Sequence, residues 1–347
     1  MFKKITFWIF EIVLVIIFLL MIVAHSFIIY GASQGIGQFT IIIKAQPIQD
    51  VMRDESFPDS LKQKLALIQE IKKFAIDSLG FKGTKNYTTV YNQNNKSILL
   101  TITACEPYHL KAKEWWFPII GKVSYIGYFN KKEARKEIEF LKEKDFDVNV
   151  YSPSGWSTLG WFNDPIQSNM LKQSEGNLAN LIIHELTHGV LFVKSNVTFN
   201  ENLASFIGDK GAEEFLKIKY GEHSKERRNY NQSKHDEQIY KNYMLNGTNR
   251  LDSLYNSFTM HDLEQIKKRK KSKLIADIVI GVDHLPLEKR KNYFNYSLNA
   301  FFEGNTFFMS FRRYDSQNDV FEKEFAHQFH ANLRLYIDEM KKRYTSL

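Results

Sequence analysis

The sequence contains little cysteine and little proline. Cys105 is its one cysteine, so a small scaffold held together by disulfide bonds is excluded. Seven prolines, 17 glycines and 44% hydrophobic residues exclude a disordered chain, which would be poor in apolar residues and rich in Pro, Gly and Ser. The 347 residues show no repeat of fixed period, and they suffice for one large domain or two ordinary ones.

The longest apolar run lies at the N-terminus. Ile5–Tyr30 contains only two residues, a glutamate and a histidine, that can carry charge near neutral pH, and Lys3 and Lys4 precede it. About 20 apolar residues cross a bilayer, and lysines in front of such a run keep the N-terminus in the cytoplasm. The sequence therefore predicts a single-pass anchor over residues 1–30 in a bacterial inner membrane. A domain over residues 31–347 would then be extracytoplasmic, in the periplasm; a cleaved signal peptide is the alternative.

The remainder predicts one α+β domain with two parts. In residues 31–170, amphipathic helices over Asp59–Leu79 and Lys131–Lys144 alternate with strand-like runs such as Ser97–Thr103. Almost everything over residues 171–347 has the apolar spacing of helices. Strands first and helices later favour an α+β fold, and no segment rich in Pro, Gly or Ser divides the chain.

One apolar helix carries the residues of a metal site. Its apolar positions run from Leu178 to Val193, and within it His184 and His188 stand one turn apart on one face. Two imidazoles at this spacing can bind one metal ion, and Glu185 beside them can act as general base toward water. Three ionisable groups on a buried helix are costly unless they serve a metal or a polar network, which argues against a plain exposed helix.

Glu201 is the predicted third ligand. It follows His188 at a distance that leaves room for a tight turn and an antiparallel return, and it lies beside the apolar face of a second helix. A metzincin would have Gly and His at the positions of Leu191 and Lys194, so that class is excluded. The alternative is a glutamate favoured near a helix N-terminus by the macrodipole. With His184, His188 and Glu201 as ligands, one metal ion would keep an open coordination position.

The motif at residues 184–188, HELTH, followed by Asn200-Glu201-x-x-Ala204, resembles the glutamate-zincin pattern and, more closely, a bacterial family of predicted aminopeptidases. The resemblance implies a zincin-like α+β domain with a small β-sheet beside the active-site helices. It also implies one Zn2+ per chain and aminopeptidase activity. Unlike many relatives, this chain has no cysteine directly after its apolar run to bear a lipid. The further matching stretches are Pro47-Ile48, Phe74-Ala75, Trp116–Gly121, Tyr125–Phe129, Ser157–Phe162, Asp164-Pro165 and Phe199–Glu201.

A short stretch upstream of the motif helix is the predicted substrate site. Thr158, Leu159 and Gly160 lie where zincins generally have an edge strand that pairs with an extended peptide. The alternative for this stretch is a turn that packs Trp161 and Phe162 into the core.

A basic run supplies most of the excess positive charge. Lys and Arg number 47 against 39 Asp and Glu, a formal charge of +8, and six of the cations lie within Lys267–Lys273. Apolar residues on both sides of the run favour a helix with a solvated basic face over a site for nucleic acid or anionic lipid. We therefore expect no nucleic-acid partner and no defined protein partner.

Together these features predict a membrane-anchored zinc metallopeptidase that acts on a peptide or protein substrate. Glu185 would activate water and pass its proton to the leaving amine. The term aminopeptidase rests on the family resemblance. The alternative is a membrane-anchored binding or scaffold protein that contains zinc without turnover, which metal content without hydrolysis would favour.

Overall fold

The structure, a computed structural model, describes Trp8, Glu11 and residues 28–117, 121–153, 158, 162–315 and 318–344. Within this part of the chain the strands are short and helix predominates. The strands are β1 (Gln46–Pro47), β2 (Thr89–Tyr91), β3 (Leu100–Cys105), β4 (Trp115–Phe117), β5 (Gly121–Val123), β6 (Ile126–Tyr128), β7 (Asp147–Tyr151) and β8 (Ile166–Gln167). The helices are α1 (residues 28–44), α2 (Ile48–Arg53), α3 (Asp59–Asp77), α4 (Lys131–Glu143), α5 (Glu175–His188), α6 (Val197–Tyr220), α7 (Lys225–Asn256), α8 (Glu264–Gly281), α9 (Arg290–Ser297), α10 (Ala300–Glu303), α11 (Asn305–Asp315), α12 (Asn318–Gln328) and α13 (Leu333–Arg343).

One small sheet forms its own hydrophobic cluster. Strand β3 is its middle strand and pairs antiparallel with β6 on one side and β7 on the other. Ile102 in β3 lies opposite Ile126 and Val150. Helix α4 covers the sheet through Ala134 and Leu141, and its first turn is capped by the side chain of Asn130. The β-preferring residues of β3 thus bury one face against an amphipathic helix.

A second sheet lies directly upstream of the site helix. Strand β2 is its middle strand, antiparallel to β1 and parallel to β8. The amide of Tyr87 donates a hydrogen bond of 2.7 Å to the carbonyl oxygen of Asp164. This pairing holds the segment around Asp164 in place just before α5 begins.

Helices α5 and α6 form the centre of the largest hydrophobic cluster. Leu178, Ile182 and Ile183 of α5 and Leu203 and Ile207 of α6 are almost completely buried. Helices α3, α12 and α13 pack around this pair. Burial of each such side chain contributes about 1.5–3 kcal/mol, so this cluster gives the two site helices a rigid support.

The predicted transmembrane anchor and the membrane location based on it need correction. Among the residues that the structure describes, no helix is both long enough and apolar enough to cross a membrane. Most of the segment 5–30 lies outside the described residues. Tyr30, the last residue of the predicted anchor, packs on the domain instead: its hydroxyl donates to the carbonyl oxygen of Gly127, and its ring contacts Phe117 and Tyr128.

The predicted fold class also needs correction. The described residues form an α+β fold, but their strands are divided among three small sheets rather than one sheet beside the active-site helices. The strands contain only two to six residues, so each offers few backbone hydrogen bonds, and they pair in groups of three, three and two instead of in one extended sheet. The predicted division at residues 30 and 170 stays a prediction.

Candidate metal centre

Helix α5 positions the two histidines of the motif. Its first turn is capped by the side chain of Ser174, which accepts a hydrogen bond from the amide of Asn177. A Cβ on Gly176 would lie 2.5 Å from the ring of Tyr230, so only glycine allows this close approach of α7. The helix ends at His188 rather than at Val193, where the apolar pattern would have ended it.

The turn between α5 and α6 is held by one side chain. The amide oxygen of Asn200 accepts from the backbone N–H of Val193, and its amide nitrogen donates to the carbonyl oxygen of the same residue, both at 2.8 Å. Asn196 caps α6 by accepting from the amide of Phe199. These bonds hold the turn that follows α5, so that Glu201 in the first turns of α6 faces the end of α5.

The structure brings His184, His188 and Glu201 together. The two Nε2 atoms are 3.1 Å apart. The carboxylate oxygens of Glu201 lie 3.5 Å from His184 Nε2 and 3.8 Å from His188 Nε2. One ligand atom from each residue lies within 4.8 Å of the others.

This arrangement fits a bound metal ion. Ligand atoms held about 2.1 Å from a tetrahedral ion lie about 3.4 Å from one another, close to the three separations observed. Two imidazole nitrogens and one carboxylate are also a donor set that Zn2+ accepts in catalytic sites. The remaining ring nitrogen of His188, Nδ1, is buried and has no hydrogen-bond partner among the described residues.

The two histidines differ in their electrostatic surroundings. Burial lowers the pKa of His188 to about 4, because the nearby His184 adds to the loss of solvation and Glu201 only partly offsets it. Burial by itself would lower the pKa of His184. The hydrogen bond to Glu201 and the negative charges of Glu185, Glu201 and Asp209 outweigh burial, so the pKa of His184 is raised. Two nitrogens at 3.1 Å cannot both carry a proton toward each other, so the pair has at least one lone pair to offer a cation.

Glu185 lies buried beside the cluster. Burial raises its pKa to about 7; His184 lowers it, and the negative charges of Glu201 and Asp164 add to the rise. Its carboxylate forms no hydrogen bond with any other described residue, which leaves both oxygens able to bind water or substrate.

Thr158 is tied to Asp164. Its amide donates to one carboxylate oxygen of Asp164 at 2.9 Å, and its hydroxyl donates to the other at 2.8 Å. Burial raises the pKa of Asp164 to about 6, although these bonds lower it. Leu159 and Gly160 lie outside the described residues. The role of the three residues in substrate binding stays a prediction, and the amide of Thr158 already has a partner in this conformation.

Two features of the α5–α6 contact escaped the sequence analysis. Gly208 is one: a Cβ there would lie 3.0 Å from the carbonyl oxygen of Asn180 and 3.2 Å from the Cβ of His184. Asp209 is the other: its carboxylate contacts Asn180, accepts from Tyr230 and pairs with Lys234. A glycine and an aspartate inside a long helix give no signal by periodicity, since their partners lie on other helices.

A cleft of about 570 Å³ begins at Ser205. Ser205 stands one helical turn beyond Glu201 on α6, so it shares the face that carries the carboxylate of the cluster. The other walls come from α7, α9, α11 and the segment before α9. Ligand pockets commonly have volumes of about 300–1,000 Å³, so this cleft is large enough for part of a peptide.

The chain belongs to the family described as "Putative aminopeptidase", whose sequence model matches residues 29–345. This description suggests peptidase activity, and the match covers nearly all of the chain, including the motif helix, Glu201 and the walls of the cleft. No curated protein and no solved structure matches the chain significantly, so the zincin-like part of the fold prediction has no support from a known structure.

Proposed function

We propose that this chain is a zinc-dependent peptidase. The observation that carries the proposal is the convergence of His184, His188 and Glu201, with the buried carboxylate of Glu185 next to them. In this proposal the first three residues hold Zn2+ and Glu185 is the general base. The substrate is a peptide or protein, in keeping with the family.

Each residue of the proposed site has its own role in hydrolysis. Zinc, when bound, supplies Lewis acidity that polarises the scissile carbonyl and makes water more acidic. Glu185 accepts the proton of the attacking water and delivers it to the leaving amine, which its unpaired carboxylate oxygens permit. Asn200 and Gly208 act as positioning residues, because they set the distance between Glu201 and the histidines. The apolar side chains of the cluster around α5 limit the access of bulk water to Glu185.

The test separates the ligand from the base. We expect the purified full chain to carry close to one zinc per chain by elemental analysis and to hydrolyse members of a peptide library. Glu185→Gln should keep zinc and lose hydrolysis by about a hundredfold or more, because an amide cannot accept the proton. Glu201→Gln should lose zinc as well as activity.

Glu214→Gln is the matched control, since Glu214 lies on α6 about 20 Å along the helix from Glu201. It should retain both zinc and activity. Zinc content without hydrolysis of any peptide would reject the peptidase and favour the scaffold alternative. Loss of zinc in Glu185→Gln together with retention in Glu201→Gln would reject the proposed roles.

A further inference from the structure

The cleft at Ser205 is lined by none of the four residues of the candidate site, and it approaches that site through Ser205, one helical turn beyond Glu201. Its walls are of two kinds. Aromatic rings, including those of Tyr293 and Tyr296 on α9, form much of its surface. Polar groups form the rest, and the charged ones among them are Glu237 and Lys241 from α7 and Lys289 just before α9. An aromatic surface suits a peptide's apolar groups, and the charged groups determine which polar group it accepts.

The acidic residue of the cleft is already neutralised. Among the described residues that line the cleft, Glu237 is the one carboxylate. One of its oxygens lies 2.6 Å from Lys234 Nζ and the other 3.0 Å from Lys241 Nζ. Burial would raise the pKa of Glu237, but these two lysines outweigh it and hold the value at about 2. Glu237 thus offers no free charge to a substrate amine.

Lys289 places an ammonium group without a direct partner on the wall of the cleft. The ammonium group of Lys289 has no hydrogen-bond or ion-pair partner among the described residues, although its backbone N–H donates to the buried carboxylate of Asp236 at 3.1 Å. That bond fixes the backbone from which the side chain reaches the cleft. Asp236 itself does not line the cleft. Lys289 is thus the cation lining the cleft whose ammonium group has no ion-pair partner among the described residues.

From this arrangement we infer that the cleft binds a carboxylate of the peptide substrate, with Lys289 as its cationic contact and the aromatic walls holding the neighbouring apolar group. This inference rests on the proposed function, because it places the peptide next to the cluster through Ser205. The same chemistry comes from two sources, the C-terminal carboxylate and an acidic side chain. A free N-terminal amine would meet a cationic wall there instead.

Binding is measured with the full chain carrying Glu185→Gln, so that no peptide is consumed, by titration calorimetry. One pair of probes is Ala-Phe-Ala-Ala with a free C-terminus and the same peptide as its amide. The other pair is Ala-Phe-Glu-Ala-amide and Ala-Phe-Gln-Ala-amide. We expect the carboxylate member of at least one pair to bind about threefold to tenfold more tightly, since an exposed lysine gives a modest gain. The pair that discriminates identifies the source.

Lys289→Gln should abolish this difference, and Lys291→Gln is the matched control. Lys291 is an exposed lysine two residues away that does not line the cleft, so its replacement removes the same net charge and should preserve the difference. Equal binding within both pairs, or a difference that survives Lys289→Gln, would overturn the inference. Hydrolysis by the unmodified chain is scored separately, so a carboxylate preference without turnover would reject only the peptidase proposal.

Discussion

Asn200 illustrates how a single side chain decides the geometry of the candidate centre. Its amide group satisfies both backbone groups of Val193, and the next residue along the chain is Glu201. A side-chain amide carries a donor and an acceptor on two separate atoms, so it can bond one residue's C=O and N–H at the same time. The asparagine beside the glutamate in this family pattern thus has a structural reason here.

We predict that Asn200→Ala reduces zinc retention, because the released turn no longer fixes Glu201 opposite the histidines. The buried backbone groups of Val193 would lose their partners, and the free energy of unfolding should fall by about 2 kcal/mol. The measurements are zinc per chain after gel filtration and thermal unfolding followed by circular dichroism.

Asn202→Ala is the control for Asn200. Asn202 is equally buried, and its amide donates within α6 to the carbonyl oxygen of Thr198. Its replacement should lower stability and leave zinc content unchanged. Equal zinc content in both variants would show that the turn does not depend on Asn200.

Glu303 leads to a prediction about how the free energy of unfolding depends on pH. Burial alone raises the pKa of this carboxyl to about 7. A group with a raised folded-state pKa contributes stability at low pH, and this contribution is lost as the pH rises from about 4.5 through 7. Glu303→Gln removes the titration, so the variant should gain about 1 kcal/mol over the unmodified chain at pH 8, after allowance for partial exposure. Urea unfolding at pH 5 and pH 8 measures this.

The exposed Glu288→Gln serves as the control for Glu303. It should not alter the pH dependence of unfolding. A constant difference between Glu303→Gln and the unmodified chain from pH 5 to pH 8 would contradict the assignment.

At the scale of elements, the candidate centre depends on how closely α5 and α6 approach. Gly208 lies against the backbone and Cβ of His184, so the separation of the helices at that residue is set by the absence of a side chain. Gly211, one turn further, faces the side chain of Ile183 in the same way. These two glycines therefore allow α6 to pack closely against the helix that carries His184.

We predict that Gly208→Ala weakens zinc binding, although alanine favours a helix by about 1 kcal/mol over glycine. The new methyl group would meet rigid backbone at 3.0 Å, so α6 has to move by a few tenths of an ångström. Zinc affinity, measured by competition with a chromophoric chelator, should fall about tenfold or more, because ligand geometry tolerates little displacement.

Gly35→Ala is the control for the helix propensity. Gly35 lies in α1, and a Cβ there would meet nothing within 4 Å. This variant should be slightly more stable and keep its zinc affinity. Unchanged zinc affinity in Gly208→Ala would contradict the prediction, because it would show that the metal site tolerates a change in the spacing of the two helices.

At the scale of the whole molecule, a cluster of hydrogen bonds around Asn305 connects the small sheet with the C-terminal helices. Asp147 at the start of β7 accepts from the amide of Asn305 and from Lys271 on α8. The side chain of Asn305 donates to the carbonyl oxygens of Glu106 and Pro107 and accepts from the hydroxyl of Tyr255. This hydrogen-bond cluster is buried at Asn305, and it links the hydrophobic cluster of the sheet with that of the C-terminal helices.

We predict that Asn305→Ala lowers the free energy of unfolding by about 3 kcal/mol, because it leaves several buried polar groups without partners. If residues 31–347 form one domain, far-ultraviolet circular dichroism and tryptophan fluorescence should report the same transition in both the unmodified chain and the variant. Asn249→Ala, an exposed asparagine on α7, should be neutral. Two separate transitions in Asn305→Ala would indicate that the sheet and the helices unfold independently.

The sequence by itself determined what depends on near neighbours in the chain. The 3.6-residue period of α5 places His184 and His188 on one face, and the apolar pattern predicts α3 and α4 nearly to their ends. The distance from His188 to Glu201 is likewise a matter of chain length, and the structure brings these residues together. The transmembrane prediction relied on the apolar composition, the length and the flanking lysines of one segment, and it was wrong for the described residues.

The tertiary structure decided everything that depends on contacts between distant segments. Helix α5 ends earlier than its apolar pattern implies, and Asn200 holds the backbone of Val193 in the turn that follows. The need for glycine at residue 208 likewise comes only from contacts with another helix, among them His184. The cleft joins Ser205 to Glu237 and Lys289, which are more than 30 residues apart in sequence. Periodicity describes how residues repeat along the axis of one helix. Which side of that helix faces another helix, and at what distance, is fixed by the packing of whole elements.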